Sequence, residues 1–149
     1  AFGADVYCSQ GEAAKIAKQV ICPLMPFEYT VHEIEPHLTV IPTPGHTNGG
    51  VCYLLTLDDK RYLLTGDFLY FDGQHWIVGS KDYDRVKDSL TRLQALGFDV
   101  LLGCGDDQLG CPWLDLSDAT TKTQFFTELT NRFNNGLPSP TKRNQNRTA

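Results

Sequence analysis

Apolar and polar positions along the chain fall into short runs whose period changes several times. The segment "ADVYCS", residues 4–9, alternates and is β-rich, which predicts a strand. Ser9 and Glu12 then stand three apart before "AAKIAKQV", the spacing of a capping box that opens a helix. Residues 22–36, "CPLMPFEYTVHEIEP", hold three prolines and read as an irregular connection with one short strand around 29–34. "HLTVIP" predicts another strand, emptying into the Gly-rich loop "TPGHTNGG". "VCYLLTL", the turn "DDK" and "RYLLTGD" predict a hairpin whose arms are apolar on both faces, the pattern of strands that want helices packed outside them. Asp72 and Gly73 predict a turn just before His75.

The second half supplies those helices. From Tyr83, the residues Val86, Leu90, Leu93 and Leu96 fall at helical spacing, with Gly97 as a stop signal. "FDVLLG" reads as a buried strand. Residues 118–135 predict a last helix with Phe125, Leu129 and Phe133 on one stripe and Ser117 as its N-cap. There is no internal repeat. The expectation is one α/β domain over 1–136, a single sheet layer with flanking helices.

Composition narrows the function classes. The chain has 149 residues, 41% of them hydrophobic, enough for one buried core. Its net charge of −5 argues against a nucleic-acid interface. The tail "LPSPTKRNQNRTA", residues 137–149, carries Lys142, Arg143 and Arg147 and no acid, so without it the body stands at −8; the tail is expected to be disordered. Five cysteines (Cys8, Cys22, Cys52, Cys104, Cys111) form no C-x-x-C pair and read as buried thiols, which points to a reducing compartment, the cytoplasm or an organellar matrix. No apolar run is long enough for a membrane span, and none forms a signal peptide. The opening Ala1 points to trimming, removal of a targeting peptide, or a fragment.

Candidate chemistry sits at the two ends of the central hairpin. His46 and Asp67 each occupy a loop that follows an apolar run, where an α/β scaffold presents imidazole and carboxylate groups that can hold a metal. The residues alone leave open the simpler alternative, a loop histidine and a turn-capping aspartate. The run "TPGHTNGG", a hairpin, then "LLTGD" resembles the metallo-β-lactamase superfamily of αββα metallohydrolases, and the resemblance extends over about 4–105, the second half of the family domain. It implies that His46 binds one metal ion, zinc or iron, and that Asp67 bridges two and serves catalysis.

The resemblance also marks departures. The family's upstream signature H-x-H-x-D-H has no counterpart among His32, His37, His46 and His75. Where the family places its last histidine, this chain has Gly103, Cys104 and Gly105, which makes Cys104 a third donor if a thiolate replaces the imidazole. Two expectations follow. In one, the domain is a metal-dependent hydrolase of an ester, thioester, amide or phosphoester whose remaining donors come from an upstream region or a partner, and whose isolated chain holds zinc or iron weakly or not at all. In the other, it is a non-catalytic module. In both, an uncovered apolar face calls for a homodimer or a protein partner.

Overall fold

A computed structural model describes residues 5–80, 82–104 and 112–136. The expected tail at 137–149 and Cys111 lie outside the described residues. Strand β1 (Val6–Ser9) leads into helix α1 (Gln10–Ile16). β2 (Leu24–Phe27), β3 (His32–Glu35), β4 (Leu38–Pro42), β5 (Val51–Leu57) and β6 (Lys60–Leu64) follow, then a single 3-10 turn, Gly66–Phe68. β7 (Leu69–Phe71) and β8 (Trp76–Val78) form a hairpin, and α2 (Tyr83–Ala95), β9 (Val100–Leu102), β10 (Trp113–Asp115) and α3 (Ala119–Asn134) complete the order.

Six strands make the central sheet in the order β10-β9-β6-β5-β4-β3, with β1-β2 and β7-β8 as separate two-stranded pieces. The β5–β6 hairpin closes through Asp58 and Asp59, both at positive φ (49° and 61°), as a two-residue primed turn requires. β6 and β9 run parallel, linked through β7, β8 and α2. Cross-strand register puts Ile41, Cys52, Leu54, Leu63 and Leu101 on one face, and all are buried. Val86, Leu90 and Leu93 of α2 and Phe126 and Leu129 of α3 pack onto that face as one core. Phe126 meets Phe98 and Phe125 edge to face at 6.3 and 5.3 Å, a favourable quadrupole geometry.

On the opposite face Val51, Tyr53, Leu55, Tyr62 and Leu64 are half-buried, while Val40, paired with Tyr53, is fully buried. The alternation of buried and half-buried residues along β5 is therefore that of a sheet covered fully on one side, although the composition of the strand is apolar throughout. Among the described residues no helix is long and apolar enough to cross a membrane.

Four local readings of the sequence are corrected. The proline-rich stretch contains β2, paired parallel with β1 in the register Val6↔Leu24; Pro26 is tolerated because an edge strand does not need its N–H. The last helix is capped by Asp118, which accepts from Thr121 N at 2.6 Å, while Ser117 donates its hydroxyl to Asp115 instead. Helix α1 does start after Ser9, yet no side-chain cap forms, because Ser9 and Glu12 both reach across to Gly49. Finally, the cysteines divide: Cys8 and Cys52 are buried, Cys22 is half-buried and Cys104 is exposed at the end of β9.

Candidate functional site

The site forms where the carboxyl end of β4 and that of β6 open into loops. Gly66 takes φ +50°, a left-handed turn with open space around it, and this step swings Asp67 out of line with β6. Thr65, buried at the start of the bend, has its hydroxyl 2.8 Å from Leu69 O and 3.2 Å from Leu102 O, so the turn is tied to both β7 and β9. Asp67 ends up largely exposed, its side chain 70% accessible, opposite a His46 side chain 45% accessible.

The orientation of His46 is set by one contact. Its Nδ1 lies 2.6 Å from Gly79 O, and since a carbonyl can only accept, Nδ1 carries the proton and donates. In the neutral imidazole the lone pair is then on Nε2, which faces Asp67 Oδ2 at 3.8 Å. That separation is too long for a hydrogen bond. It falls in the range of roughly 3–4 Å expected of two donors that each sit about 2.0–2.2 Å from one zinc ion.

Gly79 reaches this position through the β7–β8 hairpin, in which Leu69 pairs with Val78 and Gly79 N donates to Phe68 O at 2.9 Å. The approach is so close that a Cβ at Gly79 would lie 1.9 Å from Asp67 O and 3.1 Å from His46 Nδ1. Ser80 continues the contact, donating to Gly45 O at 2.5 Å. Nothing in residue spacing marked Gly79 or Ser80. The only signal was a Gly-Ser pair following the short apolar run "WIV".

Neighbouring groups are tuned by their surroundings. Glu12 is held below the usual glutamate range, first by the amide of Gly49 and then by the Thr47 side chain. Burial raises the Tyr70 phenol, with the carboxylates of Asp72 and Asp67 adding to the effect. Burial also pushes the Cys52 thiol up to about 12, against a smaller opposing effect of the Thr43 hydroxyl.

Of the three donors expected from the sequence, His46 and Asp67 are brought together. Cys104 is at the same end of the sheet, at the close of the strand beside β6, where its carbonyl accepts from Phe71 N at 3.0 Å and it bridges Tyr70. Among the described residues no group of three or more His, Cys, Asp or Glu side chains could hold a metal ion. The two donors suit zinc or iron in chemistry and spacing. His32 stacks edge to face on Phe27 at 5.8 Å, and His37 is an exposed turn residue at φ 69°. His75 belongs to the Asp72 turn through its N–H. None of the three joins the pair.

A family model described as the metallo-beta-lactamase superfamily matches residues 25–105, more than half of the chain. Comparison with curated proteins gives no match. Among solved structures, the metallo-beta-lactamase GOB-18 from Elizabethkingia meningoseptica is similar at 16% identity and TM-score 0.51, over 89% of this chain and 62% of that one. The class B3 di-zinc metallo-beta-lactamase LRA-12 from an Alaskan soil metagenome is similar at 14% and 0.52, over 91% and 64%. A fragment of putative diflavin flavoprotein A 5 from Nostoc sp. PCC 7120 is similar at 12% and 0.54, over 87% and 58%. At these identities the likeness is one of fold, and the chain spans less than two thirds of each of these relatives.

Proposed function

The chain belongs to the metallo-β-lactamase superfamily, and from that premise we propose that it is a metal-dependent hydrolase domain contributing His46 and Asp67, with Cys104 third, to a zinc or iron centre. The remaining donors come from outside the described residues, either elsewhere in the same polypeptide or from a partner. The observation that carries this reading is the hydrogen bond from His46 Nδ1 to Gly79 O at 2.6 Å, which leaves Nε2 facing the Asp67 carboxylate. His32 Nδ1 also meets a carbonyl, Thr30 O at 2.9 Å, so what distinguishes His46 is that its other ring nitrogen faces a carboxylate. When bound, the ion supplies the Lewis acidity that polarises an ester, thioester, amide or phosphoester oxygen. His46 would hold it from one side, Asp67 would bridge and orient, and Gly79 O would keep the imidazole in its binding tautomer.

The unpaired thiols Cys8 and Cys52, both buried, support a reducing compartment such as the cytoplasm or an organellar matrix. The half-buried sheet face and the apolar side chains exposed near the edges, Trp113 at 66% and the cross-strand pair Tyr7 and Met25 at 46% and 44%, support a second chain or protein partner covering them. The same surface supports the alternative role as a non-catalytic module. The roles separate by activity: in any assembly containing this chain that hydrolyses an ester or phosphoester probe, His46→Ala and Asp67→Ala should each lower kcat/KM by roughly 100-fold or more. An assembly that hydrolyses the probe and tolerates both substitutions would remove the metallohydrolase reading.

A further inference from the structure

Residues 42–50, which carry His46, have most of their outward carbonyls already taken. Toward α2, Arg92 donates to Pro42 O at 2.7 Å and Ser89 to Pro44 O at 2.8 Å, while Ser80 holds Gly45 O at 2.5 Å. On the other side of His46, Ser9 donates to Gly49 O at 2.7 Å and Tyr29 to Gly50 O at 2.9 Å. Gly49 N donates to Glu12 Oε1 at 3.0 Å. The imidazole thus sits between a half of the loop fixed by α2 and a half fixed by the α1 layer. We propose that Glu12 is a positioning residue for His46, acting with Ser9 through the backbone of Gly49, so that the β1–α1–β2 piece helps set the direction of Nε2. This rests on the reading of His46 as a metal donor.

Three further observations support it. The Thr47 side chain, next in sequence to His46, adds to Gly49 N in holding the Glu12 carboxyl below its ordinary value, so the carboxylate faces the loop on both sides of Asn48. The contact at Gly49 leaves no room for any side chain: a Cβ there would fall 2.7 Å from Ser9 Oγ, 2.9 Å from Glu12 Cγ and 3.0 Å from Gly11 C. Glu12 and Ser9 also occupy the two positions that would cap α1 reciprocally, and both side chains leave that task for the loop. Forgoing a local cap in favour of a contact 37 and 40 residues away makes sense when the distant loop is what must be held.

The test uses the metal-free full chain at a pH where imidazoles are neutral, reading the ring-nitrogen NMR signals of His46 and the exchange rate of the Gly49 amide. The wild type should show the Nδ1-protonated tautomer. Glu12→Ala should shift His46 toward a mixture of tautomers and speed Gly49 exchange roughly tenfold or more, with His32, His37 and His75 unchanged. Glu12→Gln, whose amide oxygen still accepts from Gly49 N, should restore both signals. Ser9→Ala gives a second, milder version of the same change should Glu12→Ala fold poorly. An unchanged His46 signature in Glu12→Ala and Ser9→Ala would overturn the proposal and leave the metal reading standing. A chain that binds no metal yet shows these shifts would overturn the metal reading and keep the clamp.

Discussion

Replacing Gly79 with alanine probes the packing that aims His46. The new Cβ would start 1.9 Å from Asp67 O, and contacts under 3.0 Å are essentially never found, so the two backbones must part by the difference of 1.1 Å. Forcing a methyl group into a filled site costs about 1–3 kcal/mol. Separation at this point also loosens the hydrogen bond from His46 Nδ1 to Gly79 O, which contributes about 0.5–1.5 kcal/mol. The expected destabilisation is therefore about 1.5–4.5 kcal/mol, a fall in Tm of roughly 3–18 °C for a domain of this size. Gly66→Ala is the control, since nothing lies within 4 Å of a Cβ there and only the left-handed backbone at φ +50° is strained, which costs about 1–2 kcal/mol. Thermal and urea denaturation of both variants gives the ranking, and the ring-nitrogen signals of His46 report the tautomer. A Gly79→Ala protein as stable as wild type, with His46 still protonated only at Nδ1, would refute the idea that the β7–β8 hairpin is wedged against the site.

Three other substitutions or treatments have definite outcomes. Because the Glu12 carboxyl is held below its ordinary 4.5, chiefly by Gly49 N, its contribution is present above that pH and is lost as pH falls through the lowered value. Glu12→Gln should flatten part of the stability loss below pH 4.5 in acid titrations, and an identical acid profile would contradict this. Phe126→Ala empties a fully buried position between α3 and the sheet and should cost about 3–5 kcal/mol in chemical denaturation; a cost below about 1 kcal/mol would mean α3 is not docked as described. Native alkylation at pH 8 should modify exposed Cys104 and spare Cys52, whose buried thiol sits at about 12, until the chain unfolds; mass spectrometry of the labelled peptides decides it.

Much of the fold was legible because it is written in local pattern. The β5–β6 hairpin, α2 with its Val86, Leu90 and Leu93 stripe, and β9 all follow from periodicity and turn residues. The pair His46 and Asp67 was legible through two short motifs at strand ends. What escaped was non-local. Ser9 and Glu12 have a helix-capping spacing, but Gly49 competes for the same side chains from far along the chain, and sequence gives no view of that competition. β2 hides behind prolines because its partner β1 lies well upstream, and β10, with only three residues, pairs with β9 too briefly to leave a periodic trace. Gly79 became visible as a determinant of the site only once the hairpin brought it against Asp67. For the last helix, Ser117 and Asp118 both suit an N-cap. Asp118 takes the role because it lies one residue before the first helical position, while Ser117 is drawn back to Asp115.

The most direct measurement is a zinc titration of the metal-free chain followed by NMR at His46 and Asp67. If a closed structural zinc site is worth about 10–16 kcal/mol from four donors, two donors supply about half, a Kd of about 1 µM to 0.2 mM. The two residues should respond together with one such Kd, and His46→Ala or Asp67→Ala should each abolish the response of the other, with His32, His37 and His75 unaffected. Zinc that leaves His46 and Asp67 unmoved, or a His46 response that survives loss of the Asp67 carboxylate, would contradict the claim that the fold presents these two groups as a metal-binding pair.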